Sequence, residues 1–471
     1  MPKPAGHPQP YHVVPGPFPD KRILLISYHA PPSNEVGALR WAGMAPHFHE
    51  RGWGFDILAR DPAGLRNRNE ALLATLPPGT RLFGIPDDLP AFDRIVDGLV
   101  GIRRRVRARL NISAPPTAGA ELASDSAQRP FTRRRVVDAF HAWREYVGGE
   151  RWARRAAKAG RRIFVPRVHR WVVSTAPPQM SHEGGRLLSK WTGLPFIADF
   201  RDAWRFSEWV SLGPVWLQLA ARYEMHVVAQ STIVVANVEP VRTIMQQAYP
   251  NSRVITITNG VDEGTIPAPT AQRKFIIGYP GGIYLGRDPA PLFEAVGMMV
   301  RELNLCPEDL GLEFMGFFES QIEARLRQLA TIHGIEAFVA VHPGRPRQEA
   351  LKFMTTCAVL VALQQGSDLA IPAKLFEYMR FPCWLLVVAG RNSATAQLLA
   401  GTTALVHKPE DTTGIRSSLT VRFHEFRSGV RPAPLGDQER FSRRFQAGLL
   451  LESMEAAGKL ARQGTSGADT F

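Results

Sequence analysis

The chain has 471 residues, of which 45% are hydrophobic and 21% charged, and its formal net charge is +14 at pH 7. The length exceeds what one hydrophobic core usually serves, and the composition excludes a disordered or fibrous chain, so we expect two or three folded domains. The first twenty residues lack the apolar run of a signal peptide, and no stretch reaches the roughly 18 apolar residues of a membrane span. We therefore expect a cytoplasmic protein.

The cysteine and acidic residues do not form a metal-binding pattern. Cys306, Cys357 and Cys383 each lie in an apolar stretch and lack the CxxC or Cys/His spacing of a metal site or redox motif. We expect all three to be reduced core residues. No pair of aspartates suited to a divalent cation is present either, so we expect neither a metal nor another cofactor.

Continuous apolar runs in the first half of the chain predict strands of a parallel sheet. The first strand is expected at residues 22–27 and the second at 54–59. The helix between them, near 38–51, should end at Gly52, and Pro46 should kink or shorten it. Further strands are expected at residues 171–175, 195–200, 233–236 and 254–257.

This alternation predicts a Rossmann-like, doubly wound N-terminal domain over residues 21–262, preceded by a flexible segment at 1–20. A basic helical insert at about 91–165 interrupts it. Between residues 100 and 170 the chain has 18 Lys and Arg against 5 Asp and Glu. Such a block of positive charge indicates either a surface that meets an anionic partner, such as phospholipid headgroups, a lipid-linked pyrophosphate or a nucleic acid, or simply a solvated helical insert.

Aromatic residues in the insert leave two interpretations open. Phe140, Trp143 and Val147 recur at helical spacing, and such a helix could lie on a bilayer surface. Alternatively, Trp143 and Trp152 could pack into the domain core.

A second alternation of apolar runs and helix-length segments begins after a polar linker that follows residue 262. It predicts a C-terminal Rossmann-like domain over residues 273–435. A basic helix at 437–462, which could cross back to the N-terminal domain, and a disordered tail at 463–471 should follow. The strands are expected at residues 275–278, 312–315, 338–341, 358–363, 384–389 and 404–407.

Open parallel sheets bind ligands at the carboxyl ends of their strands, so the loops that follow strands are the candidate binding sites. In the first such loop, Gly37 would let the backbone approach a ligand at the start of a helix, or the loop is simply an ordinary strand-to-helix connection. Another strand ends in Asp199, Arg201 and Asp202. Charges so close together are costly to bury unless they are paired or bind a polar group. They indicate either contact with a substrate or a structural ion-pair cluster.

A third loop, at residues 366–379, leads into a helix that contains Lys374 and Glu377. A lysine at a helix N-terminus suits a diphosphate, because the free N–H groups and the helix dipole favour negative charge there. Glu377 could then accept hydrogen bonds from sugar hydroxyls. The alternative is a surface ion pair between the two side chains.

The order of these motifs resembles the GT4-type glycosyltransferases of bacterial polysaccharide synthesis. The resemblance implies a GT-B fold, which is an α/β architecture of two Rossmann-like doubly wound domains with an interdomain cleft. The strings that carry it are KRILLIS at 21–27, STAPP at 174–178, PFIADFRD at 195–202, NGVD at 259–262, GGIY at 281–284 and IPAKLFEY at 371–378.

The resemblance also implies a site for the donor diphosphate. Gly281 and Gly282 match the glycine turn of such enzymes. Of the family's two basic phosphate ligands, one matches Arg287, while the other falls near Gly282 and is missing, so Lys374 is expected to supply the second positive charge.

Two glutamates of these enzymes contact the donor sugar and the nucleotide ribose. Glu377 matches the ribose-binding glutamate, but Leu369 stands at the position of the other one. Asp368 or Ser367 would then have to make the contacts with the sugar. The cluster of Asp199, Arg201 and Asp202 lies where relatives often place a histidine beside the donor sugar, so we expect its three residues to be catalytic.

These features predict a hexosyltransferase or related enzyme of EC class 2.4 that moves a sugar from a nucleotide-sugar donor to a glycan or lipid-linked acceptor. The resemblance implies that it retains the anomeric configuration. We expect the loop of Gly37 on the acceptor side. The basic insert indicates that the protein could bind peripherally to the inner face of the plasma membrane. Two alternatives stay open, namely a nucleotide-sugar epimerase and a catalytically inactive GT-B protein that acts as a binding partner. We expect no nucleic-acid partner, because no nucleic-acid-binding motif is present.

Overall fold

A computed structural model describes residues 7–65, 68–87, 144–206, 214–262, 264–268, 273–284, 286–435 and 439–466. The described residues form two compact units. The N-domain comprises residues up to 262 together with those from 442 onward, and the C-domain comprises residues 264–441.

The N-domain is built on an eight-stranded sheet with the strand order β1-β4-β3-β2-β5-β6-β7-β8. All neighbouring strands are parallel except β1, which pairs with β4 in the antiparallel direction. The order reverses between β2 and β5, which makes this the switch point where such sheets bind ligands. The strands are β1 (His12–Val13), β2 (Lys21–Ser27), β3 (Trp53–Arg60), β4 (Arg81–Ile85), β5 (His169–Ala176), β6 (Phe196–Phe200), β7 (Ile233–Ala236) and β8 (Val254–Thr256).

Helices cover both faces of this sheet, because β2 is buried on both sides and needs apolar partners on each. Ile23 and Leu25 belong to the core on the face that Trp41 and Phe48 cover. The helices of this part of the chain are α1 (Val36–His49), α2 (Gly149–Ile163), α3 (Ser181–Thr192), α4 (Pro214–Gln230) and α5 (Glu239–Ala248).

Helix α1 runs through Pro46 and ends at His49, two residues before the predicted end at residue 51. Pro46 lies in the last turn, where the missing N–H removes one hydrogen bond and the helix ends soon afterwards. Gly52 then adopts the left-handed conformation (φ 77°) predicted for it.

The start of the chain differs from its prediction as a flexible segment. Residues 7–20 include β1, and the backbone N–H of Tyr11 bonds to the carbonyl of Leu82 at 2.8 Å. The Tyr11 hydroxyl also donates to the carbonyl of Pro31 at 2.6 Å. Strands β1 and β4 had no predicted counterpart, because β1 is two residues long and β4 is interrupted by Gly84.

Part of the basic insert, including Phe140 and Trp143, lies outside the described residues. Its described end holds a π-helical turn (Arg144–Gly148) and α2. Trp152 is buried in the domain and packs edge-on against Tyr28, with ring centroids 4.9 Å apart. For Trp152 the structure therefore selects the core interpretation.

The C-domain is built on a six-stranded parallel sheet with the order β11-β10-β9-β12-β13-β14. Its switch point lies between β9 and β12. The strands are β9 (Phe275–Pro280), β10 (Leu310–Gly316), β11 (Val339–Pro343), β12 (Val359–Gln364), β13 (Trp384–Ala389) and β14 (Leu405–His407).

The helices of the C-domain pack on both faces of this sheet. Phe293, Leu326 and Phe423 form one core with Phe275 and Phe314 of the strands. Cys357 and Cys383 are buried as predicted, but Cys306 is exposed, so its prediction as a core residue is wrong. The helices are α6 (Ala290–Leu303), α7 (Ser320–His333), α8 (Arg347–Thr356), α9 (Ala373–Tyr378), α10 (Ala394–Leu399) and α11 (Thr412–Arg427).

The last helix, α12 (Arg443–Ser466), packs against α1 in the N-domain. It begins six residues later than the predicted helix at 437–462. Ala447, Leu450 and Met454 are buried in the same core as Trp41. Across the described segments of the chain, no helix is long and apolar enough to cross a membrane.

Candidate functional site

In the N-domain, the predicted residues Gly37 and Arg201 come together at the carboxyl edge of the sheet. A Cβ atom added at Gly37 would lie 3.0 Å from Nη2 of Arg201 and 3.0 Å from Cβ of His29. Glycine therefore lets the start of α1 approach these two side chains. Arg201 donates to the carbonyls of Ala176 at 2.7 Å and Pro177 at 3.3 Å, which ties the loop after β6 to the loop after β5.

Asp199 is the most completely bonded carboxylate of this edge and is only 1% exposed. Arg40 reaches both of its oxygens, with Nη2 2.9 Å from Oδ1 and Nε 3.0 Å from Oδ2. Trp41 Nε1 at 2.9 Å and the Thr175 hydroxyl at 3.0 Å also donate to Oδ2. Both carboxylate oxygens thus accept hydrogen bonds from the protein. For Asp199 this is the structural ion pair, one of the two interpretations that the sequence left open. A direct contact of Asp199 with a substrate would require one of these bonds to break.

Asp202 has the opposite character. Among the described residues, no group donates a hydrogen bond to its carboxylate, while its backbone carbonyl accepts one from Gln179 at 3.2 Å. Burial raises the pKa of Asp202, and the positive charge of Arg201 only partly opposes this. Asp202 is therefore the acidic residue of the predicted cluster that can exchange a proton or accept a ligand hydroxyl.

His29 joins this group, although the sequence analysis did not select it. Burial lowers the pKa of His29 to about 4, and the charges of Arg201 and Arg60 add to the effect. The imidazole is therefore neutral near pH 7 and can both donate and accept a hydrogen bond. The signal in the sequence was its position two residues after β2, in a strand-end loop.

In the C-domain, Gly281 and Gly282 form a turn directly after β9. Gly281 has a φ of 114°, which disfavours any residue with a side chain. Its N–H bonds to the carbonyl of Met315 at 2.7 Å, and the Tyr279 hydroxyl donates to the carbonyl of Gly282 at 3.0 Å. The turn is therefore fixed from both sides and presents bare backbone.

Lys374 lies directly beside this turn. Its Nζ donates to the carbonyl of Pro280 at 3.3 Å and lies 3.7 Å from the ring centroid of Tyr279. Desolvation lowers the pKa of Lys374 well below its usual range, and the charge of Arg287 lowers it further. Because α9 has only six residues, Lys374 itself, rather than the helix dipole, would supply positive charge to an anionic ligand here.

Arg287 is the second cation at this edge. Its guanidinium lies 4.2 Å from the ring centroid of Tyr284, and its buried Nε has no hydrogen-bond partner within the described chain. Burial raises the pKa of Tyr279 to about 12, and the neighbouring Arg287 limits this rise. Among the described side chains, no carboxylate lies within ion-pairing distance of Arg287 or Lys374.

The loop after β12 is tied to the loop after β9. The Gln365 amide donates to the carbonyl of Asp288 at 2.6 Å and accepts from its N–H at 3.3 Å. Four of the predicted residues lie near the carboxyl end of β9, beside the switch point of the sheet. They are Gly281, Gly282, Arg287 and Lys374. Gln365 was not among the predicted site residues, because an amide in a loop is not a distinctive signal.

Glu377, the predicted ribose ligand, pairs with Arg347 at the start of α8, with Nη2 2.6 Å from Oε1. The sequence alternative, an ion pair between Lys374 and Glu377, does not form. Glu377 is 15% exposed and Arg347 is 55% exposed. The carboxylate is therefore paired with a solvent-exposed side chain that a ligand hydroxyl could replace.

Ser367 and Asp368 lie in the loop after β12, and Asp368 faces the loop after β13. The Ser367 hydroxyl is buried and accepts the N–H of Leu369 at 3.1 Å. The carboxylate of Asp368 lies against Gly390, where an added Cβ would be 2.2 Å from Oδ1. Neither residue forms a hydrogen bond or ion pair with Lys374 or Arg287 in the described part of the chain, so their role toward the donor sugar stays a prediction. In the described part of the chain, no group of three or more His, Cys, Asp or Glu could hold a metal ion.

No family model and no curated protein sequence matches this chain. Solved structures do match. The α,α-trehalose 6-phosphate synthase of Burkholderia multivorans has a TM-score of 0.58 at 11% identity, with 96% of this chain and 99% of that chain covered. HepE of Anabaena, solved in complex with UDP and glucose, has a TM-score of 0.52 at 12% identity over 95% and 100% of the two chains.

A third similar structure is the lipopolysaccharide outer core galactosyltransferase WaaB, with a TM-score of 0.53 at 12% identity over 92% of this chain and 99% of that chain. At such low identity the likeness shows the fold. The chain has the α/β architecture of GT-B glycosyltransferases, with two Rossmann-like domains, and the predicted fold class is confirmed.

Proposed function

We propose that this protein is a glycosyltransferase that takes a sugar from a nucleotide-sugar donor bound by the C-domain. The observation that carries the proposal is Lys374. It is a desolvated cation beside a bare glycine turn, at the switch point of a Rossmann-ordered sheet, and has no carboxylate partner among the described residues. An anionic ligand would satisfy it, because negative charge nearby favours the protonated amine.

The chemistry follows from charge. When the glycosyl–phosphate bond breaks, negative charge develops on the departing diphosphate, and cations fixed beforehand stabilise it without a covalent intermediate. Lys374 and Arg287 supply that charge, and Gly281 lets the phosphate oxygens approach the backbone. Glu377 binds the ribose hydroxyls after exchanging its contact with Arg347.

The N-domain is assigned to the acceptor. Asp202, neutral His29 and Arg201 lie at its ligand-binding edge, and Asp202 has a carboxylate that no described group bonds. Asp199 acts indirectly, because with Arg40 it fixes the strand end that carries Arg201 and Asp202.

The finer features are proposed from the resemblance and from similar proteins. HepE, which was solved with UDP and glucose, makes UDP-sugars the first donors to test. WaaB, an outer core galactosyltransferase, supports a glycan or lipid-linked acceptor in bacterial polysaccharide synthesis. We further propose retention of anomeric configuration and peripheral binding to the inner membrane face. For the latter, the exposed cations of α2, among them Arg151 and Lys158, supply positive charge.

The test is thermal stabilisation of the purified protein by UDP-, GDP-, ADP- and TDP-sugars, because a ligand that binds the native state raises Tm. One nucleotide should give a clear shift that Lys374→Met abolishes. Methionine keeps an unbranched aliphatic side chain but removes the charge. Arg325→Ala, which removes an exposed cation of α7, is the control and should keep the full shift. No shift with any of the nucleotides would refute the proposal.

Product analysis with the stabilising donor then separates the alternatives. A transferase releases nucleoside diphosphate in proportion to added acceptor. An epimerase converts the donor without any acceptor, and an inactive binding protein shows the shift in Tm without turnover.

A further inference from the structure

Phe317, directly after β10, is the most exposed large hydrophobic side chain in the described part of the chain, at 85% of its surface. Its neighbour Phe318 is partly buried and packs against the C-domain core. The exposure of Phe317 therefore does not reflect a general lack of apolar partners near this loop. Since β10 is parallel to its neighbours, the ring lies at the ligand-binding edge of the sheet.

The loop after β11 gives this ring a flat support. A Cβ atom added at Gly344 would lie 2.6, 2.6 and 2.7 Å from Cδ2, Cε2 and Cζ of Phe317. Near-equal distances to three consecutive ring atoms are those of a contact with the ring face. Gly344 therefore lets one face of Phe317 rest on the backbone, and the high exposure leaves the other face open.

Phe317 is also close to the proposed diphosphate site. An added Cβ at Gly282 would be 3.8 Å from the carbonyl oxygen of Phe317, and one at Gly316 would be 2.5 Å from the carbonyl oxygen of Gly281. The loops that follow β9 and β10 are thus in direct backbone contact.

On its other side, Phe317 is linked to the proposed ribose ligand. Gly344, beneath the ring, is three residues before Arg347, which pairs with Glu377. Glu377 is one helical turn from Lys374. The diphosphate cation, the ribose-binding carboxylate and the open aromatic face are therefore linked by one ion pair, one ring contact and two separations of three residues along the chain.

We propose that Phe317 stacks against the base of the bound nucleoside diphosphate and thereby sets how tightly the donor nucleotide is held. This inference rests on the proposed function. A base is the part of such a ligand that presents a flat π surface, and base stacking on an aromatic side chain tolerates every base. Phe317 therefore contributes affinity for the nucleoside, and selectivity among the bases depends on other groups.

The experiment compares binding of UDP, GDP, ADP and inorganic pyrophosphate to the full chain by calorimetry. For the best nucleotide, Phe317→Ala should weaken binding about tenfold, in keeping with the usual value of one stacked base. Pyrophosphate affinity should not change, because pyrophosphate has no base. Phe317→Trp, unlike Phe317→Ala, should bind the nucleotide about as well as the wild-type protein. The fluorescence of the added indole should be quenched by the nucleotide but not by pyrophosphate. Ile332→Ala, which trims another exposed apolar side chain of the C-domain, is the matched control and should change neither affinity.

Two results would overturn the inference alone. One is wild-type nucleotide affinity in Phe317→Ala, and the other is an equal loss of nucleotide and pyrophosphate affinity in that variant, which would indicate damage to the loop. If the wild-type protein binds none of the four ligands, the proposed function fails and the inference falls with it.

Discussion

The ligand-binding edges of the two domains share a strand order but differ in how they treat charge. In both sheets the order reverses between the strand that opens the Rossmann unit and a later one, β2 with β5 and β9 with β12. At the N-domain edge, Asp199 is bonded by Arg40, Trp41 and Thr175. At the C-domain edge, Lys374 contacts uncharged groups, namely the carbonyl of Pro280 and the ring of Tyr279.

This difference separates two roles for buried charge. A buried charge whose partners are all supplied by the protein holds strands and loops together, and removing one partner is costly. A desolvated charge without an opposite partner lowers the stability of the free protein and becomes favourable when a ligand of opposite sign binds. The N-domain edge is therefore rigidified by its ion pair, whereas the C-domain edge keeps its charge for a ligand.

The largest expected effect comes from breaking the N-domain pair. Arg40→Met should lower the free energy of unfolding by about 3–5 kcal/mol, because Asp199 would be left as a buried carboxylate without its ionic partner. Urea-induced unfolding of the full chain measures this. Lys374→Met, the equivalent change at the other edge, should cost less than about 1 kcal/mol, because it removes a desolvated charge rather than a partner. Equal losses in the two variants would erase the proposed difference between the edges.

The second prediction concerns the open carboxylate of the N-domain. Asp202→Asn should reduce kcat for sugar transfer by about 100-fold, the usual order for a group that takes part in proton transfer. Its Tm should stay the same or rise, because burial raises the pKa of Asp202 and so disfavours the ionised form that is lost. Steady-state kinetics and a melting curve on the same preparation give both values. A fall in Tm with unchanged kcat would make Asp202 structural, like Asp199.

The third prediction is a pH dependence of nucleotide affinity. In the free protein the pKa of Lys374 is lowered by desolvation and by Arg287, so the amine loses its proton more readily than usual. A bound diphosphate favours the charged form, so binding takes up a proton and weakens as pH rises, by at most about tenfold per pH unit.

Calorimetry between pH 7 and 9 would test this prediction, since the diphosphate is already ionised in that range. The dependence should disappear in Lys374→Met. A dependence of the same size in the variant would assign the titrating group elsewhere.

The smallest effect on stability is expected from the hydrogen bond that joins Tyr11 to the loop after β2. Tyr11→Phe removes the hydrogen bond from the hydroxyl to the carbonyl of Pro31, in the loop that carries His29. We expect a loss of about 1 kcal/mol in the free energy of unfolding, the usual net value of such a bond. Tyr284→Phe, which changes an exposed ring, serves as the control in the same urea titration. A stability equal to wild type would show that β1 alone holds the segment.

Much of the fold could be read from local patterns. The strands at 233–236 and 384–389 were predicted with the bounds that the structure gives them, because runs of branched apolar residues suit a strand that is buried on both faces. Strand β4 was not predicted because it is short and contains Gly84. Strand β1 was not predicted because its pairing with β4 is a long-range contact. The mistaken expectation for Cys306 has a similar cause, since a local apolar neighbourhood does not show which side chain faces the core.

At the candidate site, the sequence allowed the loops that follow strands to be selected, but not the pairings within them. Glycine turns and charges at strand ends are local features, so Gly281, Lys374 and Asp202 could all be selected from the sequence. The partner of Asp199, in contrast, is Arg40, which is 159 residues earlier in the chain. The same holds for the contact of Phe317 with Gly344, which joins the loops after two adjacent strands.

The sequence by itself determined the alternation of elements, the two Rossmann-like domains and the strand-end loops that carry polar residues, because hydrophobic periodicity and backbone preferences are short-range properties. Only the tertiary structure decided which charges are neutralised by the protein and which are left for a ligand. The physical reason is that the free energy of a buried charge depends on every group within a few ångströms of it, and those groups come from distant parts of the chain.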